Sequence, residues 1–153
     1  MKYLILWVLF CLAVISSCKS ESNPIDGKDK KVPATLIGTT WDVTSFGIVD
    51  STRTEPGSVG IFIEFYMDSS ISGRSYQKGD GLKAGNSFAG DYVVNENQLS
   101  IMINGTTKIN EPEGSRYLEF LSIINGNLLY EIRENRLHLE STGNDSIHLD
   151  SRN

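Results

Sequence analysis

Most of the sequence consists of short β-prone stretches separated by turn residues, a pattern that few folds can accommodate. In one stretch the apolar side chains alternate, which places Ile61, Ile63, Phe65 and Met67 on one face of a strand. The polar segment 95–98 has the composition of a hairpin turn between two further stretches. The predicted strands span residues 41–46, 61–67, 70–77, 88–94, 99–103, 128–133, 136–140 and 146–150.

One segment, near residues 111–124, has helical rather than alternating spacing. Its apolar positions on one side are Tyr117, Leu118, Leu121 and Ile124. We expect Asn110 to cap this helix, Pro112 to occupy its first turn and Glu113 to supply a capping-box carboxylate. Gly126 is a left-handed stop signal at the other end. Many short antiparallel strands with one helix predict a mainly β fold, a small antiparallel barrel or sandwich.

The N-terminus has the layout of an export signal. Lys2 is followed by an unbroken apolar run over residues 3–15, which is shorter than the about 20 residues needed to cross a bilayer. The run ends in an aliphatic residue and two small ones before Cys18, which resembles the lipobox of bacterial lipoproteins. This resemblance implies that residues 1–17 are a lipoprotein signal peptide and that Cys18 becomes the palmitate-bearing first residue. Because Lys19 follows in place of an aspartate, we expect the periplasmic side of the outer membrane rather than the inner membrane.

The chain after the signal divides into a tether and one domain. Residues 18–33 have almost no apolar side chains, so we expect a flexible tether, and residues 34–153 are long enough to bury one core. Loss of residues 1–17 removes Lys2 and leaves 13 basic against 19 acidic residues, a net charge of −6. This balance argues against a nucleic-acid partner and leaves the lipid anchor as the contact with the membrane.

The segment from residue 86 to residue 92 has the form Asn–x–Phe–x–Gly–x–Tyr. It resembles the centre of the META domain family of bacterial envelope proteins, and the matching residues are Asn86, Phe88, Gly90 and Tyr92. Trp41 stands where the family has its opening strand, and the resemblance extends over about residues 36–150. It implies an envelope protein related to heat-shock-inducible members, a family without established catalytic residues.

The chain departs from that family at one point. Many members have a cysteine before the central Asn and a second one after a Thr motif. Here Gly85 occupies the first position, and no cysteine lies near residues 109–111. The resemblance therefore implies that this member has lost the disulfide and is stabilised by packing alone.

Two interpretations of the central motif stay open. In one, Asn86 and Tyr92 are ligand contacts at the mouth of a barrel. In the other the motif is structural: Gly90 permits a bend or bulge, Asn86 bonds to backbone, and Phe88 and Tyr92 pack in the core.

His138 and His148 are the two histidines of the sequence. If Leu139 lies opposite Ile147 in the last hairpin, His138 falls opposite His148 on the outer face, around a loop at 142–144. Two imidazoles at that separation can share a metal with a carboxylate as third ligand. Two solvated histidines are the simpler interpretation, so we expect no metal and no cofactor.

No motif for catalysis stands out, because the sequence lacks a Gly–x–Ser–x–Gly elbow and a phosphate-binding loop. We expect a non-enzymatic envelope lipoprotein, related to stress, that acts through contacts with an envelope protein. The alternative is a carrier or sensor of a small apolar ligand in the barrel interior, because the aromatic side chains of the strands could line a cavity there. A lipocalin-like barrel, which also opens on a Gly–x–Trp strand, would have the same architecture. A barrel interior filled by Trp41, Phe65 and Phe88 would argue against the carrier.

Overall fold

The structure is a computed structural model that describes residues 35–48, 54–79 and 84–152. The predictions for residues 1–33, namely the signal peptide, the lipid-bearing Cys18 and the tether, lie outside the described residues.

Eight antiparallel strands of the described chain close into a barrel in sequence order, with the last strand returning to pair with the first. The elements are β1 (Thr39–Ile48), β2 (Val59–Phe65), β3 (Ser70–Gln77), β4 (Ala84–Asn95), β5 (Gln98–Thr106), α1 (Tyr117–Ile124), β6 (Gly126–Arg133), β7 (Arg136–Ser141) and β8 (Asp145–Ser151). The predicted mainly β fold is confirmed, and of the two architectures left open the chain forms the closed barrel.

Alternation along the strands decides which side chains fill the barrel. Ile61, Ile63 and Phe65 of β2 are fully buried, as the sequence predicts, and Leu139 of β7 is buried in the same way. These side chains belong to one hydrophobic cluster. Burial of an aliphatic or aromatic side chain contributes about 1.5–3 kcal/mol, so this cluster dominates the stability of the compact unit formed by residues 31–153.

A prediction for the end of β2 is wrong. The strand stops at Phe65, and the chain then turns, with the Tyr66 amide donating to the Ser70 carbonyl at 2.9 Å. Met67 therefore lies on this turn and is 88% exposed instead of facing the core.

Strands β5 and β6 pair over only part of the length of β5. Four residue pairs join these strands, the last of them between Ile101 and Gly126, and beyond Ile101 the described part of β5 pairs with β4. The chain between the two strands leaves the sheet and carries α1. Phe120 of α1 packs on Phe88 of β4, with ring centroids 5.7 Å apart. The helix thus closes the end of the barrel at which β4 begins.

The predicted helix is present and ends at Ile124, as expected, but its buried face differs from the prediction. Leu118 is 72% exposed, whereas Phe120 and Ile123 face the core with Tyr117. Among the described residues no helix has the length and apolar character needed to cross a membrane.

The predicted start of the helix near residue 111 is wrong. Gly114 has a φ of +77°, and the Ser115 amide donates to the Pro112 carbonyl at 3.1 Å, so the chain makes a turn there. The side chain of Arg116, the residue before α1, makes no capping hydrogen bond, and the Tyr117 amide donates to the Ser115 hydroxyl at 3.3 Å. The capping roles expected for Asn110, Pro112 and Glu113 are therefore not realised.

Candidate functional site

Asn86 is a buried polar residue, 3% exposed, that ties the chain after β5 to the barrel. Its side-chain nitrogen donates to the Ile109 carbonyl at 2.7 Å and to Glu111 Oε1 at 2.6 Å. Its side-chain oxygen accepts from the Ile109 amide at 2.5 Å and from the Thr107 hydroxyl at 3.3 Å. The side chain of Asn86 is thus fully used within the protein, which favours the structural interpretation of the motif.

Glu111 lies at the centre of the same network. Its Oε1 also accepts from the Ser75 hydroxyl at 2.7 Å, and its Oε2 accepts from the Ser115 hydroxyl at 2.7 Å. Burial opposes ionisation of this carboxyl, but the hydrogen bonds from Ser115, Ser75 and Asn86 together outweigh burial and lower its pKa below the usual 4.5. A carboxylate therefore stays ionised at this end of the barrel.

The hydrogen bonds of Asn86 and Glu111 lie at the place where members of the META domain family have a disulfide, as the resemblance implies. Asn86 follows Gly85, the position without its cysteine, and holds residues 109–111 through the hydrogen bonds just described. Gly85 approaches β3 so closely that a Cβ there would lie 2.3 Å from the Ser75 hydroxyl. The expectation of stabilisation by packing alone is therefore wrong at this point, because hydrogen bonds join the two segments.

The other three residues of the motif are also structural. Phe88 is 3% exposed in the core. A Cβ at Gly90 would lie 2.2 Å from the Met102 carbonyl oxygen, beside a bulge in β4, so a larger residue does not fit. Tyr92 is 4% exposed, and its hydroxyl donates to the Tyr66 carbonyl at 2.7 Å. None of these side chains is free for a ligand.

The described interior of the barrel is filled. Trp41, Ile63, Phe65 and Leu149 have 0% exposure. A side chain that lined a cavity large enough for water would keep some accessible surface. No such cavity touches these four side chains, so the middle of the barrel offers no space for a ligand beside them.

A cleft opens instead at the helix end of the barrel, and we call it the end cleft. It is lined by Asn86, by residues 106–111 and by Tyr117, Leu118 and Leu121 of α1, and its volume is about 400 Å³. This volume lies within the usual range for small-molecule sites, roughly 300–1,000 Å³. The apolar walls come from α1 and from Ile109, which is 55% exposed.

Tyr117 is one of the residues that line the end cleft, and its hydroxyl is buried behind the cleft surface. Tyr117 is 1% exposed, and its buried hydroxyl oxygen has no partner in the described chain. Burial, and to a smaller extent the charge of Glu111, raise the pKa of this hydroxyl, so it keeps its proton. An unsatisfied buried hydroxyl costs about 1–3 kcal/mol, and in a native structure it calls for an explanation.

Sequence reasoning placed Tyr117 on a helix and Glu111 at a helix start, and it assigned neither to a site. Only the hydroxyl among the apolar residues of the helix distinguished Tyr117 from its neighbours. The network around Glu111 joins residues up to 36 positions apart, so no local pattern signals it.

The histidines are placed as the sequence predicts. His138 lies opposite His148, and Leu139 lies opposite Ile147. The imidazole rings stack with centroids 4.5 Å apart and planes 9° apart. Both side chains are half-buried, in an outer groove of about 830 Å³, and are thus less solvated than expected.

The stacked pair is not arranged as a metal site. The lone pairs of parallel rings run side by side, whereas a shared ion needs nitrogens that converge on it at about 2.0–2.1 Å. Across the described ranges, no three His, Cys, Asp or Glu side chains are close enough to hold a metal ion.

Comparison with known proteins places the fold. No family model matches the sequence, and no curated protein matches it. A protein from Burkholderia xenovorans, solved by NMR, is 17% identical, covers 85% of this chain and 97% of its own, and gives a TM-score of 0.57. A lipocalin-like protein from Bacteroides uniformis is 19% identical, with coverages of 76% and 98% and a TM-score of 0.51.

A third similar structure is a DUF4847 family protein from Bacteroides vulgatus. It is 15% identical, covers 74% of this chain and 92% of its own, and has a TM-score of 0.52. Similarity at these identities shows the fold alone, which is that of a lipocalin-like closed barrel. The resemblance to the META domain family stays a prediction, because none of these matches tests it.

Proposed function

We propose that this chain is a non-enzymatic envelope lipoprotein, anchored through Cys18, whose barrel binds a small and largely apolar molecule in the end cleft. The observation that carries the proposal is the buried Tyr117 hydroxyl, which lacks a partner in the wall of a cleft of about 400 Å³. A ligand that accepts a hydrogen bond would satisfy this group and remove its energetic cost.

The end cleft suits a ligand better than the barrel interior does. The interior side chains Trp41 and Phe65 have no accessible surface, so a molecule there would have to displace the core. Tight packing makes such displacement costly. The end cleft is already open, and its apolar wall residues Ile109 and Leu118 are exposed to solvent. We therefore place the proposed ligand site at the end of the barrel and not in its interior.

The test is the binding of a neutral fluorescent probe, N-phenyl-1-naphthylamine, to residues 31–153, the unit that contains the described core. We expect its fluorescence to rise on binding. Leu118→Glu should reduce the affinity at least tenfold, because it places a charge on an exposed wall of the cleft. Val93→Glu is the matched control, because Val93 is similarly exposed, at 67%, on the outer face of β4 and does not line the cleft.

Two results would count against the proposal. One is the absence of any saturable fluorescence change with the unsubstituted protein. The other is equal loss of binding in both variants, which would indicate adsorption to apolar surface in general.

Contact with an envelope protein is a second candidate, supported by a different surface. Val93 and Met102 lie on the outer faces of the adjacent strands β4 and β5 and are 67% and 61% exposed. Exposed apolar side chains close together are typical of protein-binding surfaces. Under this candidate Val93→Glu abolishes crosslinking from residue 102 to one specific envelope protein, while Leu118→Glu leaves it intact. The reverse result would exclude it.

A further inference from the structure

The hydrogen-bonding groups around the end cleft differ in how far they are already used. Asn86 makes four side-chain hydrogen bonds within the protein, and Glu111 accepts three from side chains. Thr107 donates to Asn86 and accepts from the Ser87 amide at 2.8 Å. The hydroxyl of Tyr117 has no partner. Among the described lining residues, the unsatisfied buried group is therefore this hydroxyl, which keeps its proton and which a ligand reaches when the side chains that cover it move aside.

The charges around the end cleft offset each other. Among its described lining residues, the charged side chains are Glu111 and Lys108. The Glu111 carboxylate is held in the wall by Ser75, Asn86 and Ser115, whereas Lys108 is exposed at the rim. A ligand ion of either sign would meet one attracting and one repelling charge, so it would gain little net electrostatic attraction in the cleft. Either ion would also lose its hydration against apolar walls.

From these contacts we propose that the end cleft selects an uncharged, largely apolar molecule with one oxygen that accepts the hydrogen bond of the Tyr117 hydroxyl. This inference rests on the proposed function and names the class of ligand. Simple ketones, esters and alcohols with a hydrocarbon body of about ten heavy atoms fit this description and the cleft volume of about 400 Å³.

Four probes of nearly equal size and shape separate the alternatives. Acetophenone is neutral with an acceptor oxygen, ethylbenzene lacks the oxygen, benzoate is an anion and benzylammonium is a cation. Each is titrated into residues 31–153, and the amide NMR shifts of residues 106–111 report binding at the end cleft. We expect acetophenone to bind at least fivefold more tightly than any of the other three.

The variant Tyr117→Phe tests the hydrogen bond. We expect it to weaken acetophenone binding about fivefold to tenfold, to the affinity of ethylbenzene, and to leave ethylbenzene binding unchanged. The indole signal of Trp41, the one tryptophan after residue 17, shows whether the variant keeps its fold. Leu118→Glu, which changes an exposed residue, checks that the shifts come from the cleft.

The outcomes distinguish this inference from the proposed function. If benzoate or benzylammonium binds in the end cleft as tightly as acetophenone, the inference is wrong and the site remains. If Tyr117→Phe leaves acetophenone binding unchanged, the hydroxyl is not the recognition group and the inference is wrong again. If none of the four probes shifts the amides of residues 106–111, the proposed function fails as well.

Discussion

At the scale of single residues, the buried polar groups around the end cleft are of two kinds. Some make all their hydrogen bonds within the protein, and one makes none. Asn86 donates to Glu111 and bonds to both the carbonyl and the amide of Ile109. Their role is to hold the chain after β5 against the barrel. Tyr117 lies beside them with its hydroxyl unpaired. This contrast separates residues that maintain the cleft from the one residue we expect a ligand to contact.

A first prediction concerns the stability of the ligand-free protein. Tyr117→Phe removes a buried hydroxyl that has no partner, so we expect the free energy of unfolding to rise by about 1 kcal/mol. For a domain of this size that corresponds to a melting temperature higher by about 4 °C. Calorimetry of residues 31–153 measures it, and a lower melting temperature would mean that the hydroxyl already has a stabilising partner.

A second prediction concerns pH. The pKa of Glu111 is lower in the folded chain than its usual 4.5, so the unfolded chain binds more protons between these two values. Stability is therefore lost as the pH falls below about 4.5, and Glu111→Gln should remove part of this loss. Asp68→Asn is the control, because the pKa of this exposed carboxyl is also lowered, by hydrogen bonds from Ser70, but it lies outside the network.

Urea unfolding at pH 3 to 6, followed by the fluorescence of Trp41, gives the slope of unfolding free energy against pH for the three proteins. The unsubstituted protein and Asp68→Asn should retain the contribution of Glu111, and Glu111→Gln should lose it. A slope for Glu111→Gln that equals that of the unsubstituted protein would contradict the role of this carboxylate.

At the scale of residues, a contact could be predicted from the sequence when its partners belong to one local motif or one hairpin. The motif around Asn86 could be read as structural from its glycine and aromatic residues, and the pairing of His138 with His148 follows from the period of two in a hairpin. The contact between Asn86 and Glu111 spans 25 positions. Nothing in the sequence near either residue specifies it, and so the cleft was not predicted.

At the scale of elements, β-prone stretches between turn residues predicted all eight strands, and alternation in residues 61–65 predicted which side chains of β2 face the interior. The errors lie at element ends, where contacts distant in sequence decide. Glu111 hydrogen-bonds Ser75 instead of entering a helix, and Gly114 turns the chain before α1 begins. Leu118 has the helical spacing of a core residue, yet it faces the cleft.

A third prediction addresses the seam at which the barrel closes. The Arg152 guanidinium forms a two-point ion pair with Asp42 and lies over the Phe62 ring at 4.5 Å. The Arg152 amide also donates to the Thr40 carbonyl at 2.8 Å. Because this pair is partly buried, we expect Arg152→Ala to lower the free energy of unfolding by about 1–2 kcal/mol.

Arg133→Ala is the matched control for the seam. Arg133 also pairs with one carboxylate, that of Glu131, but its side chain is 79% exposed, so we expect a change of less than about 0.5 kcal/mol. Urea unfolding measures both variants. Equal effects would mean that Arg152 contributes no more than a surface charge.

At the scale of the whole molecule, a filled lipocalin-like barrel carries a surface cleft at the end that α1 closes. Trp41 and Phe65 stabilise the fold by occupying the interior, and α1 leaves the end cleft as the place where an apolar molecule can enter. The strand pattern predicted a small antiparallel barrel or sandwich without deciding between them. Whether the interior of the barrel is filled depends on side-chain packing, which the periodicity of the sequence does not report.

A fourth prediction belongs to the complete chain. If Cys18 carries the lipid, Cys18→Ser has no thiol to acylate and should lack the mass of the acyl chains that the natural protein carries. The two or three chains of a lipoprotein are needed for stable attachment. Mass spectrometry of the natural protein measures this, and an unmodified Cys18 with residues 1–17 still attached would contradict the anchor.

The central claim is that ligands bind at the end of the barrel and leave its interior unchanged. The most direct measurement is an amide and indole NMR map of residues 31–153 titrated with acetophenone. We predict shifts that saturate and are confined to residues 106–111 and to α1, with the Trp41 indole signal unmoved. Saturating shifts centred on Trp41 and the interior residues of β2, with residues 106–111 unaffected, would contradict the claim.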